Sequence, residues 1–551
     1  MFKKIDITIN GEDLSVKPDT RIVDLLPKAP HKGSYPAVGA ILNNHLVEFS
    51  YKLTSPGEIN TVDLSVREGM DIYRRTTLMI LYSALAEIAP QARIVVGQSI
   101  GVGYFFEVHN HIVDQKFISS LDEHMRRIVE KDVPLKREWV SVEEAMEVFQ
   151  KQGSTDKSKL LNQLRRAEVP IVRLGKYSGY GFGPIAYRTG LIDKFSIRPY
   201  EHGIVLGFPN ENNELEEETK TQPKLFATYL ETKRWNELVH IENVADLNEK
   251  CMGRTAGDLV KVAEALHEKK IVTIADQIAS SKDVRLVLIA GPSSSGKTTF
   301  SKRLSIHLKT YGLEPIAISI DNYYVDRSRT PKHADGTYDF ESIDALDIDL
   351  FNDHMQKLLH GEEVAIPFYS FPLGKRDVTK SRKLKLKKGQ ILITEGIHGL
   401  NEIMSSAIPA KNKFKIFVSA LTQLCLDDHN RIFTNDTRLC RRIVRDRLFR
   451  GTVAAETIEG WSSVRAGEKK YIFPFQEDAD VQFNSALAYE HSLLKPYSER
   501  YLAEVPRSHA SFMESYRLAK FFSYFIPILA VEVPKSSILR EFIGGSAFNY
   551  S

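Results

Sequence analysis

Residues 284–300 read VRLVLIAGPSSSGKTTF, and this stretch decides the fold of the part of the chain that carries chemistry. Its first half is a continuous apolar, β-branched run, the pattern of a strand buried on both faces of a parallel sheet. Its second half, from Gly291 to Thr298, fits GxxxxGK[ST]. The next residues, TTFSKRLSIHLKTYG (298–312), predict a helix that stops at Gly312. Strand, glycine-bearing loop and helix N-terminus together make an anion site. Glycines let backbone N–H groups wrap phosphates, and the helix end adds partial positive charge. Gly291, Ser293, Ser294, Ser295, Gly296, Lys297, Thr298 and Thr299 are therefore expected to hold a nucleoside triphosphate. Lys297 would reach the β- and γ-phosphates, and the Thr298 hydroxyl would ligate Mg²⁺.

Working outward, PIAISIDNYYVD (315–326) predicts a strand ending in Asp321, expected to lie beside the loop strand with its acid near the γ-phosphate. That acid would accept the proton of an attacking hydroxyl or hold Mg²⁺. A further strand, QILITEGIHGL (390–400), ends in Glu395, the position for a carboxylate beside Mg²⁺. FKIFVSA (414–420) is another buried strand. It precedes NDTRLCRRIVRDRLFRG (435–451), a helix on which Arg438, Arg442 and Arg445 share one face. Arginine forks suit phosphate oxygens, and such a helix can close over developing phosphoryl charge.

These segments carry a resemblance. GPSSSGKTT, SIDNYYVD, YDFESIDALD, IPFYSFPLGKR, ITEGIHGL and DTRLCRRIVRD occur in this order, and residues 284 to about 500 resemble the uridine kinase and phosphoribulokinase family of P-loop kinases. The resemblance implies ATP and Mg²⁺ as cofactors and assigns roles by position. Asp321 resembles the base that takes the proton of a ribose 5′-hydroxyl, with Lys297, Arg445 and Arg450 completing the catalytic set. Tyr324 and Phe340 would line a nucleoside pocket, and Glu341 stands where the family has an Asp that holds the ribose hydroxyls. Tyr369 and Phe371 resemble aromatic groups that sandwich the base, and Arg442 resembles a substrate-binding arginine. Thr298 and Glu395 resemble the Mg²⁺ ligands. Three positions depart from the uridine kinase pattern: Gly374 replaces a His that reads the pyrimidine edge, Thr452 a second lid arginine and Gly460 a lid Gln. Loss of one polar contact to a base relaxes specificity by orders of magnitude, so the acceptor is left open between another nucleoside and a different small hydroxyl compound.

The front of the chain is built differently. IDITING alternates apolar and polar residues and ends at Asn10-Gly11, a hairpin signal. DTRIVDLL predicts a short helix starting at Asp19 or Thr20, and two more strands are expected around VGAILNNHLVEF and TVDLSV. This β-rich order over residues 1–70 resembles a TGS domain, a β-grasp-like roll. Residues 71–208 predict helices at LMILYSALAEIAP, ISSLDEHMRRIVEKD and SVEEAMEVFQKQ, the last capped by Ser141 with Glu144 three residues on. With ARIVVGQSIGVGYFFEV, VPLKREWVSVEEAMEVF and GPIAYRTGLIDKFSI, this region resembles the editing domain of threonyl-tRNA synthetase. That family's HxxxH pair and its later Cys and His correspond here to Arg75, Met79, Gly181 and Ile185, so hydrolytic editing is not expected. His109 and His111 would share a strand face, but without a third ligand they are read as polar structure rather than a metal site.

The remaining properties bound the answer. The chain has 551 residues, 42% hydrophobic and 26% charged, with 74 basic and 71 acidic side chains and a net charge of +3. That excludes collagen-like, mostly disordered and membrane-embedded classes and gives no global drive toward nucleic acid. Cys251, Cys425 and Cys440 form no CxxC pair, and no signal peptide opens the chain, so the cytoplasm is expected. The run FFSYFIPILAVEV (521–533) is too short to span a bilayer and is read as a buried strand or helix. The basic run 375–388 is read as a solvated hairpin edge rather than a nucleic-acid contact. The expected architecture is multidomain: a β-grasp-like roll (1–70), an α+β synthetase-like region (71–208), an acidic linker and helical connector (209–283), an α/β P-loop kinase with a parallel sheet (284–505), and a C-terminal extension packed on the kinase (506–551). The expected function is ATP- and Mg²⁺-dependent phosphorylation of the 5′-hydroxyl of uridine or a related nucleoside. The alternative is an RNA-, tRNA- or ribosome-associated regulator that contacts RNA through its N-terminal half and uses the P-loop as a nucleotide switch. No membrane partner is expected, and a homo-oligomer is left open.

Overall fold

The apolar run before the phosphate loop folds as the strand Leu286–Ala290, every residue of it buried. In the computed structural model, which describes residues 4–210, 212–216, 221–253, 255–333 and 336–550, this strand is the centre of a five-stranded sheet. Across the sheet the order is Glu314–Ser319, Gln390–Glu395, Leu286–Ala290, Lys413–Ser419 and Val481–Asn484. All four pairings are parallel. The strand leading to Asp321 is therefore not the neighbour of the loop strand, contrary to the sequence reading. Gln390–Glu395 lies between them, because the chain crosses to the sheet edge through the helix Lys297–Thr310 before returning to fill the gap. Such a crossover opens a crevice above the C-terminal ends of the strands.

At the front, Asn10 and Gly11 both have positive φ, 51° and 86°, and join Ile5–Ile9 to Glu12–Val16 in a tight hairpin. The segment read as one strand at VGAILNNHLVEF is itself a hairpin, Gly39–Leu42 with His45–Val47, turning at Asn43 and Asn44. With Gly57–Val62 these strands form one five-stranded sheet in which Ile5–Ile9 and Gly57–Val62 run parallel. The expected helix at DTRIVDLL is only the 3-10 turn Ile22–Leu25. Neither Asp19 nor Thr20 caps it: Asp19 is left-handed and the Thr20 hydroxyl donates to Lys17 O.

A long helix, Arg67–Ile88, leads into two antiparallel sheets of four and three strands. Asp114 caps the helix Gln115–Glu130, and Ser141 caps Val142–Lys151 by accepting from Glu144 N at 3.1 Å. The Glu144 carboxylate turns to Arg173 instead of completing a capping box. His109 and His111 do not share a strand face. The strand ends at His109 beside Glu107, Asn110 turns left-handed, and His111 packs on Phe117.

Parts of the acidic stretch 209–224 lie outside the described residues. From Pro223 onward three helices, Pro223–Leu238, Val244–Met252 and Ala256–Ser280, lie against the parallel-sheet unit. Glu477 anchors the first by accepting from Lys224 N and Leu225 N, each at 3.0 Å. One apolar core runs from Phe149 and Leu161, through Ile271 and Ile289, to Phe522 and Phe542. The helix pair Val142–Lys151 and Thr155–Gln163 thus shares its core with the parallel-sheet unit.

The apolar run 521–533 is neither strand nor helix for most of its length. The helix Phe512–Phe522 ends inside it, and Pro527 cannot donate to a ladder or continue a helix. The following irregular backbone is satisfied individually: Ile526 N donates to Asn248 Oδ1 at 2.8 Å and Ile528 N to Ser492 O at 3.0 Å. Tyr524, Phe525 and Ile528 are buried, whereas Leu529 and Val531 are exposed. The basic run pairs Arg382–Lys385 with Glu363–Ile366, and Lys383 meets Glu363 at 3.2 Å in a solvated ribbon. Among the described residues no helix is long and apolar enough to cross a membrane.

Candidate active site

Strand register brings the site together. Ile289 and Ser319 both pair with Glu395, so the three strands end at one level. The phosphate loop follows the first, Asp321 lies in the 3-10 turn Ile320–Tyr323 after the second, and Glu395 closes the third. The loop's glycines are required by space and conformation. A Cβ on Gly291 would stand 1.9 Å from Val418 O, and Gly296 has φ +83° at the start of the helix. Ser294 also holds positive φ, 59°, which turns the loop back around a concave face of backbone N–H groups.

Lys297 Nζ donates to Gly291 O at 2.9 Å and Pro292 O at 3.2 Å. Burial pulls its pKa below the ordinary lysine range, with Glu395, Asp321 and Glu541 opposing. Thr298 Oγ1 lies 3.0 Å from each Glu395 oxygen. Burial pushes the Glu395 carboxyl up to about 7; Lys297 counters this, while Asp321 and Glu541 add to it. Burial also raises Asp321, against the pull of Lys297 and Arg450. Hydroxyl and carboxylate oxygens at the loop are a hard donor set that fits Mg²⁺. The glycine-walled loop fits a phosphate chain.

The arginine helix spans Thr434–Phe449. Arg438 donates to Ser293 O at 2.9 Å and ion-pairs with Glu468. Arg442 Nη1 donates to Ser293 Oγ at 3.1 Å. Arg445 turns to Asp446 at 2.8 Å, and Arg450 approaches the same carboxylate at 3.6 Å. The fully buried Arg441 escaped the sequence pattern. It pairs with Glu490 at 2.7 Å, reaches Ser485 O at 2.9 Å and extends toward Ser294 O. Arg438, Arg441 and Arg442 therefore hold the helix against the loop, while Arg445 and Arg450 gather at Asp446 near its end.

The expected acceptor residues also converge. Tyr324 lies 5.4 Å from Tyr369, 5.8 Å from Phe371 and 6.5 Å from Phe340 between ring centroids. Tyr369 and Phe371 meet edge-to-face at 5.1 Å, so no slot for a flat ring lies between them and the expected sandwich becomes a single aromatic wall. Burial raises Glu341 to about 7, with Glu468 adding and Arg442 opposing. At Gly374, φ +63°, a Cβ would stand 2.9 Å from Arg327 Nε. Arg327 donates to Phe371 O at 2.7 Å and lies 6.0 Å from the Phe340 ring centroid. Its guanidinium thus borders the wall at Gly374, where the uridine kinase pattern has a histidine.

Two carboxylates on the phosphate loop had no sequence signal. Ser293 N donates to Glu468 at 2.9 Å. Thr299 donates to Glu541 from N at 3.2 Å and from Oγ1 at 2.5 Å, and its hydroxyl meets Tyr550 OH at 3.0 Å. Glu541 lies 242 residues from Thr299, so only the folded chain reveals the contact.

Residues 286–489 match the Phosphoribulokinase / Uridine kinase family. The N-terminal half is similar to threonine–tRNA ligases. That of Rubrobacter xylanophilus is 26% identical over 190 residues, 34% of this chain and 29% of that enzyme. That of Aquifex aeolicus is 25% identical over 201 residues, 36% of this chain and 31% of that enzyme. The chain thus spans under a third of the length of these relatives. Among solved structures, a possible uridine kinase from Bacillus stearothermophilus is 16% identical, with TM-score 0.28, over 39% of this chain and 98% of that one. A D-glycerate 3-kinase from Cryptococcus neoformans is 14% identical, with TM-score 0.22, over 46% and 86%.

Proposed function

We propose that the parallel-sheet unit transfers the γ-phosphoryl group of ATP to a hydroxyl of a small molecule, the 5′-hydroxyl of uridine or a related nucleoside. The observation that carries this reading is the meeting of Lys297, Thr298, Glu395 and Asp321 at one level above three parallel strands. Loop N–H groups and Lys297 hold the phosphates in line. Thr298 and Glu395 would hold Mg²⁺, which would supply neutralisation of phosphate charge. Asp321 takes the proton of the acceptor hydroxyl as the new O–P bond forms and the bond to ADP breaks. Arg442, Arg445 and Arg450 face the charge that spreads over the transferring group. The wall of Tyr324, Phe340, Tyr369 and Phe371, with Glu341 below it, supports an acceptor that has one flat face and vicinal hydroxyls. Arg327 at the position near Gly374 favours a carbonyl- or phosphate-bearing acceptor.

The test is ADP release from ATP across a panel of nucleosides and sugar phosphates. One class should stimulate release, and Asp321→Asn should lower kcat by roughly 10²–10⁴-fold, the usual share of a general base, with ATP binding retained. No stimulated release from any nucleoside by protein that binds ATP would refute the nucleoside reading.

A further inference from the structure

A cavity of about 910 Å³ lies away from the phosphate loop, where the N-terminal roll, the synthetase-like region and the parallel-sheet unit meet. Its size is that of a small-molecule site. Nine arginine and lysine side chains line it against four carboxylates. Three of those carboxylates are engaged by arginines. Arg517 bonds Asp436 and Glu514 at 2.7 Å, Arg67 bonds Glu514 at 3.0 Å, and Asp71 lies within 3.9 Å of Arg67 and Arg74.

Arg75 and Lys520 are matched less completely. Arg75 uses Nε on Pro184 O at 2.8 Å, while its buried Nη2 has no partner. The Lys520 ammonium makes no ion pair or hydrogen bond among the described residues. Burial lowers its pKa to about 8, with Arg137, Arg166 and Arg75 adding like-charge repulsion and Glu48 opposing. Burial brings Arg75 down to about 10, Asp71 opposing and Arg137 and Arg517 adding. Arg137 alone is answered, by Glu48 at 3.0 Å. Trp139 and Phe182 line the same cavity, and Trp139 is 56% exposed. Gathering more cations than carboxylates costs energy that an incoming anion would offset. Guanidinium forks suit phosphate oxygens, and an open indole suits a flat ring.

We propose that this cavity is a second ligand site, which takes a small phosphorylated molecule with an aromatic ring, a nucleoside phosphate, through Arg75, Lys520 and Trp139. The site is independent of the kinase reading. Its wall includes Asp436, on the helix whose Arg438 and Arg441 contact the phosphate loop.

The test uses the full chain carrying Lys297→Met, which weakens phosphate binding at the loop. Calorimetric titration with AMP, UMP and inorganic pyrophosphate should show one site per chain for at least one probe. Arg75→Gln and Lys520→Gln should each weaken it roughly tenfold or more, the loss expected for one charged hydrogen bond. Arg75→Lys should retain part of the affinity. The Lys520 ammonium bonds no other group, so Lys520→Gln leaves the fold intact and keeps the test valid if Arg75→Gln fails to fold. Three results each overturn the proposal: no binding of any probe at millimolar concentration, binding unchanged by both variants, or an RNA hairpin as the only species whose binding they weaken.

Discussion

Glu395 shows what a single buried residue demands. Its carboxyl is raised to about 7, so below that pH it holds a proton where a cation is to bind. ATP turnover should therefore fall as pH drops through about 7, and higher Mg²⁺ should move that limb to lower pH, because metal and proton compete. The stability sign runs the opposite way. The folded pKa lies above the unfolded one, so the group costs stability as pH rises from 4.5 to about 7. Glu395→Gln should lower kcat by ~100-fold or more, about 3 kcal/mol of charge stabilisation, while raising Tm at pH 8. Activity profiles and thermal melts of the two proteins check both signs, and a Tm that falls at pH 8 would contradict the burial argument. This residue was legible in sequence because its signal is local: an apolar strand, an acid and a glycine. Glu468 was not, because it answers Ser293 and Arg438 from a helix with no motif of its own.

At the scale of elements, the short C-terminal helix Arg540–Ile543 sits on the first turn of the phosphate-loop helix. Glu541 takes the N–H and hydroxyl of Thr299, donors that a phosphate at this helix end would also use. Glu541→Gln should lower the KM for ATP on the order of tenfold, the scale of one charged hydrogen bond, with kcat little changed. Glu541 also helps raise Glu395, so the acid limb of the variant should move to lower pH. An unchanged KM would show that the carboxylate does not compete. Nothing in residues 521–551 announced this contact. Their apolar pattern spoke only of burial, and Pro527 removed the regular periodicity from which a helix or strand could be read.

At the scale of the molecule, the synthetase-like region and the parallel-sheet unit are joined by more than a linker. Lys157, on the helix Thr155–Gln163, lies 3.6 Å from Asp427 and 3.1 Å from His429 Nδ1, with its side chain and that of Asp427 both essentially inaccessible. Lys157→Met would leave Asp427 buried beside Asp156 with no cation, and losing one partner of such a pair costs about 3–5 kcal/mol. Burial, and Asp156 after it, already favour the protonated form of Asp427 against the pull of Lys157. The variant should therefore lose less stability at pH 5 than at pH 8. Denaturant melts at the two pH values measure this, and an equal loss at both would show that Asp427 does not titrate.

The sequence by itself determined whatever is settled by neighbours a few residues apart. The Asn10-Gly11 turn, the Ser141 cap, the buried strand and glycine loop at 284–300 and the acids Asp321 and Glu395 at strand ends all follow from side-chain spacing and backbone conformation. Tertiary structure decided which of these meet. It placed Gln390–Glu395 between the two strands expected to be neighbours, set Tyr369 against Phe371 as a wall, bolted Arg441 beneath the loop and brought Glu541 to Thr299. It also gathered Arg75, Arg137 and Lys520 around one cavity. Apart from Tyr369 and Phe371, whose mutual angle is set by the packing around them, these contacts join residues tens to hundreds of positions apart. Their partners are selected by the packing of whole layers and by burial of charge, and no local pattern encodes either.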